Sequence, residues 1–188
     1  MATVTRKQIE DAIQVMGRIS LKGFDLAGLD LSLLELAEAN LVRANLHGAN
    51  LRGANLRGAS LLWANLTKAT LTEANLAKAI FWNTDLTGAD LTGADLTNAA
   101  LIYSNLSAAD LSGADLYYAS ARGARMTGTV LTEAIMRNTT LDEADLRGAN
   151  LGRAILSDCT FMKAKYNDQT VWPVGYIPAF VEGLVKAD

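Results

Sequence analysis

The sequence predicts an all-β solenoid, in which short extended segments wind into stacked coils. The main indication is a five-residue period that runs without insertion through 29 consecutive pentapeptides, from residue 24 to residue 168. Leu holds the third place in 23 of them and Ala the first place in 21, so nearly every repeat offers the same two side chains for burial. A period of five fits neither a helix, with 3.6 residues per turn, nor a flat strand, with two. The chain must therefore turn a corner once per repeat to keep every Leu inside.

Composition limits what these coils can contain and bind. Half of the residues are apolar but only 6% are aromatic, so the interior must be built from layers of Leu and Ala. The net charge of -3 comes without a continuous track of Lys and Arg, and we therefore expect no nucleic-acid partner. One cysteine excludes an internal disulfide. Without a signal-like N-terminus or a long apolar run, we expect a cytoplasmic protein with no membrane partner.

Residues 1–23 are predicted to form an N-terminal cap. Thr5 and Gln8 have the spacing of a capping box, in which each side chain accepts a backbone N–H of the other. Four apolar residues then share one helical face: Ile9, Ala12, Ile13 and Met16. Gly17 is suited to end the helix. We therefore expect a helix over residues 6–16 that covers the first coil.

The repeats themselves carry a family resemblance. Ala-Asn-Leu-Arg-Gly at 49–53 and 54–58, and Ala-Asp-Leu-Thr-Gly at 89–93, resemble the pentapeptide repeat family, and the resemblance extends over about residues 24–168. In that family four pentapeptides form one square coil, with Leu and the preceding Ala inside. The resemblance implies a right-handed quadrilateral β-helix of about seven coils, roughly 34 Å long at about 4.8 Å per coil. Asn or Asp at the second place and Gly at the fifth suit its corners.

Residues 169–188 are predicted to form a C-terminal cap or tail. Apolar residues are spread through 171–187, and Pro178 is suited to begin a short helix. We expect this tail to cover the last coil, because an open coil end exposes core and unpaired backbone. The alternative is a dimerising tail, as in gyrase-protecting members of the family.

One side of the predicted coil is apolar where the others are polar. Residues twenty apart stack on the same side, and the fourth places of this side hold Val, Leu, Trp and Ile rather than Thr, Ser or Arg. The aromatic stripe, as we call it, comprises Val42, Leu62, Trp63, Ile80, Trp82, Ile102 and Tyr103, with Tyr117 and Tyr118 at its edge. A contiguous apolar patch rich in Trp and Tyr is typical of a protein-binding surface. Its cover could be a partner protein, a second copy or the C-terminal tail.

Acidic residues form a second irregular feature, the acidic patch. Asp85, Asp90 and Asp95 follow one another around three sides of one coil, and Asp110 and Asp115 are expected to stack on the last two. The patch has two interpretations. It is either a solvated surface whose carboxylates accept backbone hydrogen bonds, or a site for a cation or a basic partner.

The sequence offers little for catalysis. His47 is at an outward place with no Cys or His partner nearby, which argues against a zinc site. Cys159 takes a first place, where Ala is usual, so we expect it in the core as a small apolar group rather than as a nucleophile. No strand–loop–helix phosphate cradle is present. We therefore expect no enzyme activity, no cofactor, no metal and no small-molecule substrate.

The leading functional hypothesis is a non-catalytic protein-interaction scaffold that acts through the aromatic stripe. The chain resembles cyanobacterial members of the family, one of which acts through a transcription regulator during cell differentiation. The alternative is a DNA mimic that binds or protects DNA gyrase or topoisomerase, as other members do. Mimicry requires a mainly acidic rod, and the arginines on early and late coils disfavour it: Arg43, Arg52, Arg57, Arg122, Arg125, Arg137, Arg147 and Arg153.

Overall fold

A computed structural model describes residues 4–187 and shows a β-helix with a helix at its start and an irregular cap at its end. Residues 1–3 and 188 of the predicted terminal segments lie outside this range. Helix α1 spans Arg6–Met16, and strands β1 and β2 span Lys165–Tyr166 and Val185–Lys186, with a 3₁₀ helix at Pro178–Phe180 between them. Among the described residues, no helix is both long and apolar enough to cross a bilayer.

Between α1 and β1, the chain forms coils of twenty residues. Extended residues pair in parallel with the residue twenty positions further on, from Ser20 with Asn40 to Asp145 with Lys165. A tight turn separates successive pairing residues, so each coil has four sides. Residues twenty apart therefore stack on the same side of the rod.

Backbone hydrogen bonding explains why the period is five, as the repeat 44–48 shows. The N–H groups of Asn45, Leu46 and Gly48 donate to carbonyls of the adjacent coils at 2.7–2.9 Å, and that of Ala44 closes the preceding corner at 3.0 Å. The remaining N–H, that of His47, donates to the side-chain Oδ1 of Asn45 at 3.3 Å. Asn or Asp at the second place therefore completes the pairing of the repeat, because its side chain accepts the one N–H that the coils leave free.

The corners lie at the fourth and fifth places. Every fifth-place residue from Gly23 to Lys163 has a positive φ, between 53° and 71°. A type II turn requires a left-handed conformation at the second of its two central residues, which is the fifth place of this repeat. Gly is frequent at the fifth place for that reason. For other residues, this conformation costs about 1–2 kcal/mol.

The interior is built from the third and first places. Third-place residues from Leu26 to Leu151 are at most 1% exposed, including the substitutions Phe81, Ala121, Met126 and Met136. Four first places carry a buried hydroxyl instead of Ala: Thr84, Ser104, Thr129 and Thr139. Each of these hydroxyls donates to a third-place backbone carbonyl at 2.6–2.8 Å, so no hydroxyl among them is buried without a partner.

Helix α1 covers the first coil. Thr5 and Gln8 form a reciprocal capping box, Gly17 ends the helix, and the side chain of Ile9 is buried. Arg6 ties the helix to the coil, since its guanidinium donates to the backbone carbonyls of residues 30 and 32 at 3.1 Å each.

The C-terminal segment covers the last coil. Pairing shifts by one residue where Asn150 bonds with Val171, and β2 then pairs in parallel with β1. Trp172 stacks on Tyr176 with ring centroids 5.1 Å apart, and its ring also meets Phe161 edge-on at 6.0 Å. These contacts hold the tail at the end of the rod, away from the aromatic stripe.

Cys159 lies under this cap, half-buried rather than enclosed in the core. Its thiol donates to the backbone carbonyl of Met136 at 2.7 Å. Burial raises the pKa of the thiol to about 12, which keeps it neutral at physiological pH.

The corner geometry gives a first prediction, at Gly93. A Cβ at this position would meet no atom within 4 Å, but φ is +65°. Gly93→Val should therefore lower the free energy of unfolding by about 1–2 kcal/mol through backbone strain alone. Gly93→Asn is the matched control and should remain within about 0.5 kcal/mol, because Asn tolerates the left-handed region. Urea unfolding of the three proteins measures both values; equal stability of the Val and Asn variants would contradict the corner assignment.

The raised pKa of Cys159 gives a second prediction. A shift from 9.0 to about 12 lowers the thiolate fraction at pH 8 by about 1000-fold relative to the unfolded chain. Labelling with a chromogenic disulfide should accordingly be at least about 100-fold slower in the folded protein than in urea. Moving the thiol to the adjacent exposed place, as Cys159→Ser with Thr160→Cys, should restore fast labelling. Comparable rates for native Cys159 and the moved thiol would show that the cap does not shield it.

Candidate functional site

The structure places the main residues of the aromatic stripe side by side. Ile80 pairs with Ser60 and with Ala100 in the coils before and after it. The N–H of Trp63 donates to the carbonyl of Trp82 at 3.1 Å, so the two indole-bearing residues are backbone neighbours. The stripe therefore runs along the rod axis over four successive coils.

The aromatic side chains of the stripe are open to solvent. The exposed fractions are 52% for Trp63, 45% for Trp82, 54% for Tyr103 and 53% for Tyr118. The aliphatic members of the stripe, Val42, Leu62, Ile80 and Ile102, are partly exposed. Because the C-terminal segment packs on the last coil, no described part of the chain covers this surface.

Three of these aromatic residues sit where the fold favours glycine. Trp63, Tyr103 and Tyr118 occupy fifth places, with φ of 53°, 55° and 56°. A bulky side chain in the left-handed region costs about 1–3 kcal/mol and is concentrated at functional sites in proteins generally. The same conformation is found at fifth places outside the stripe, such as Lys68 and Glu73, so the rings are distinguished by their size and apolar character rather than by backbone strain.

Neighbouring residues hold the rings in place. The guanidinium carbon of Arg43 lies 5.5 Å from the ring centroid of Trp63, within cation–π range. The ring of Tyr103 lies against Gly123, where an added Cβ would clash with it. Tyr117 and Tyr118 meet edge to face across the corner, with centroids 4.4 Å apart.

The stripe also presents backbone donors without partners. In many repeats the fourth-place N–H is accepted by Asn or Asp at the second place, as Asn40 accepts from Val42 at 3.2 Å on this side. Where the second place holds another residue, as Thr70 and Val130 do on the opposite side, the fourth-place N–H has no partner among residues 4–187 either. The following second places on this side are Ser60, Ile80 and Ala100. The N–H groups of Leu62, Trp82 and Ile102 consequently have no hydrogen-bond partner among residues 4–187: three outward donors lie in one line.

Unpaired cations border the same surface. Lys22 continues the line of fourth places at its N-terminal end, Arg43 lies beside Trp63, and Lys78 stands at the corner before Ile80. Within the described part of the chain, none of the three forms an ion pair with a carboxylate. At the other end, Arg122 is paired with Glu143 at 2.7 Å. The open positive charge therefore lies at the N-terminal end and one edge.

The acidic patch is assembled as expected, with Asp90 paired to Asp110 and Asp95 to Asp115 in adjacent coils. Each carboxylate of the patch accepts the backbone N–H two residues further on, at 2.8–3.0 Å. Asp85 belongs to the same set. These hydrogen bonds show that the carboxylates stabilise the corners of the coil. A binding role for the acidic patch stays a prediction.

The described residues show little that could serve catalysis. Among residues 4–187 there is no group of three or more His, Cys, Asp or Glu residues arranged to hold a metal ion. The imidazole of His47 bonds to the hydroxyl of Thr67 in the coil that follows, at 2.6 Å between Nδ1 and Oγ1. A concavity of about 390 Å³ holds the ion pair of Arg52 with Glu73 at 3.3 Å, and its one hydroxyl, that of Ser32, donates to the carboxylate of Asp30 at 2.6 Å with no histidine among the lining residues.

Sequence reasoning found the apolar residues of the stripe but missed its donors and the strain at its fifth places. The signal for the donors was present, since Ser60, Ile80 and Ala100 interrupt the Asn and Asp of the second column. The strain could have been predicted from the position of these residues in the repeat, because Trp63, Tyr103 and Tyr118 all occupy the fifth place, where Gly is common.

Comparison with known proteins supports the fold and names the family. No curated protein sequence shows a significant match to the chain. Among solved structures, HetL from the cyanobacterium Nostoc sp. strain PCC 7120, described as involved in heterocyst differentiation regulation, is similar with a TM-score of 0.65 and 22% identity, over 97% of this chain and 92% of its own. Full-length QnrB1, a plasmid-mediated fluoroquinolone resistance protein, is similar with a TM-score of 0.60 and 15% identity, over 91% of this chain and 92% of its own.

These structural likenesses show the fold, a right-handed β-helix. The sequence profile for pentapeptide repeats in eight copies matches overlapping segments of the chain, at 18–53, 35–72, 54–93, 64–101, 94–132 and 124–162. Together these segments extend over residues 18–162, most of the chain. The protein belongs to the pentapeptide repeat family.

Proposed function

We propose that this protein is a non-catalytic scaffold that binds another protein through the aromatic stripe. The observation that carries the proposal is the exposure of Trp63, Trp82 and Tyr103 in successive coils while the tail packs elsewhere. Exposed Trp and Tyr in a contiguous apolar patch are the residues that dominate the binding energy of protein interfaces.

The contacts around the rings support the same proposal. The guanidinium of Arg43 lies over the ring of Trp63, and the ring of Tyr103 packs against Gly123, so both rings are held at the surface without entering the core. A side chain that is already held in one conformation loses less entropy on binding. The likeness to HetL and QnrB1 concerns the fold alone and adds nothing to the choice of partner.

The direct test places two charges in the centre of the stripe. Trp82→Glu with Ile102→Glu should abolish partner capture from a lysate of the source cells, with affinity falling at least about 100-fold, because an interface cannot bury two unpaired carboxylates. Affinity capture with mass spectrometry, together with sedimentation of the purified protein, gives the readout.

The matched control changes the opposite side of the rod. Thr72→Glu with Thr132→Glu introduces the same charges at fourth places two corners away and should leave capture unchanged. Circular dichroism should show both double variants folded. If the stripe variant captures the partner and sediments as the parent protein does, the stripe is not the binding surface.

A second candidate function is DNA mimicry toward gyrase or topoisomerase, which the stacking of Asp90 on Asp110 and of Asp95 on Asp115 favours. The scaffold proposal predicts that the protein neither inhibits nor protects gyrase in a supercoiling assay. Asp90→Asn with Asp110→Asn is the informative variant, since Asn keeps the corner acceptor and removes the charge. If the parent protein alters gyrase activity and this variant does not, DNA mimicry is the function instead.

A further inference from the structure

We propose that the segment bound by the aromatic stripe is acidic as well as apolar: a short stretch of a partner protein that alternates large apolar residues with Asp or Glu. This inference rests on the proposed function and adds the chemistry of the partner. Three properties of the stripe support that chemistry. Its exposed rings favour apolar residues, its unpaired backbone donors require acceptors, and its bordering cations favour carboxylates as those acceptors.

The backbone donors require acceptors from the partner. The N–H groups of Leu62, Trp82 and Ile102 lie one coil apart, about 4.8 Å, and have no partner in the described chain. A ligand that covered them without supplying acceptors would leave buried donors unsatisfied, at a cost of about 1–3 kcal/mol each. Carboxylates accept such bonds more strongly than neutral groups.

The border of the stripe adds positive charge. Lys22, Arg43 and Lys78 have no ion pair among the described residues and surround the N-terminal half of the surface. Two carboxylates at neighbouring places are engaged within the chain: Glu143 with Arg122, and Asp85 with the N–H of residue 87. The surface therefore offers unpaired cations beside its backbone donors, which favours an anionic segment.

A second copy of this chain is the less favourable occupant. Its fifth-place carbonyls, such as that of Asn83, are free to accept hydrogen bonds, but it would bring the same cations to the interface. Like charges facing each other across an interface are unfavourable. The tail of the same chain is held on the last coil by Trp172 and Tyr176.

The size of the stripe fits a segment rather than a whole folded partner. From Val42 to Ile102 it extends over three coil steps, about 14 Å, and one side of about three extended residues is about 10 Å wide. That footprint is far below the roughly 800 Å² per partner of a standard interface between folded proteins. A short segment can use all of it.

The test uses three fluorescein-labelled peptides of 14 residues with the full-length protein. All three alternate Leu and Phe with a second residue type, which is Glu and Asp in the first, Gln and Asn in the second, and Lys in the third. Fluorescence polarisation should show the acidic peptide binding at least about 10-fold more tightly than the neutral one, and no binding of the basic one. Added salt should weaken the acidic peptide alone.

Protein variants separate charge from apolar contact. Arg43→Gln with Lys78→Gln should weaken the acidic peptide about 5- to 10-fold and leave the neutral peptide unchanged. The control Lys68→Gln removes an exposed cation on the next side and should change neither. Equal binding of acidic and neutral peptides, no binding of either, or an equal effect of Lys68→Gln would overturn the inference.

The two proposals fail in different ways. If Trp82→Glu with Ile102→Glu abolishes capture or self-association while the Arg43 and Lys78 changes have no effect, the stripe is an interface but its partner is not acidic. If the parent protein self-associates, and only the stripe variant abolishes that association, the occupant of the stripe is a second copy of this chain. If the stripe variant retains both capture and peptide binding, the proposed function itself is wrong.

Discussion

Backbone hydrogen bonds between adjacent coils are the interaction on which the rest of this structure depends. Second-, third- and fifth-place N–H groups donate across coils, and the first-place N–H closes the corner within its own coil. The fourth-place N–H is left, and where the second place is Asn or Asp its side chain accepts that N–H. Because three N–H groups of a repeat donate to other coils, the backbone cannot gain or lose a residue locally without breaking several bonds at once.

That constraint separates the inside of the chain from its surface. Leu and Ala at the third and first places fill the interior, and changes there are limited by volume. The second, fourth and fifth places contact solvent, and only corner chemistry restricts them. The aromatic stripe lies entirely at these outer places, so it can exist with little effect on the core beneath it. Its costs are local: strain at Trp63, Tyr103 and Tyr118, and donors left open beside Ile80 and Ala100.

Much of this architecture could be predicted from sequence because its determinants are local and repeated. Thr5, Gln8 and Gly17 specify the ends of α1 by pairwise chemistry, and the twenty-residue spacing is enough to align the residues of the stripe. The end of the rod was harder to predict, because no repeat specifies it. The one-residue shift at Val171 and the packing of Trp172 on Tyr176 depend on contacts between segments with no shared pattern. Cys159 was expected inside the core, and its partial exposure follows from lying in the last coil, where the irregular cap replaces a further coil.

The four-sided coil also constrains how the length of this protein can change. An insertion of five residues before Val42 would satisfy every corner and every backbone bond of the added repeat, but the direction of each later residue relative to α1 would rotate by a quarter turn. The same insertion between Leu62 and Trp82 would move the two halves of the stripe onto different sides of the rod. Only a change of twenty residues, one full coil, leaves all columns aligned. Relatives that keep such a surface should therefore differ in length by whole coils within it, whereas those that have lost it are free to differ by single repeats.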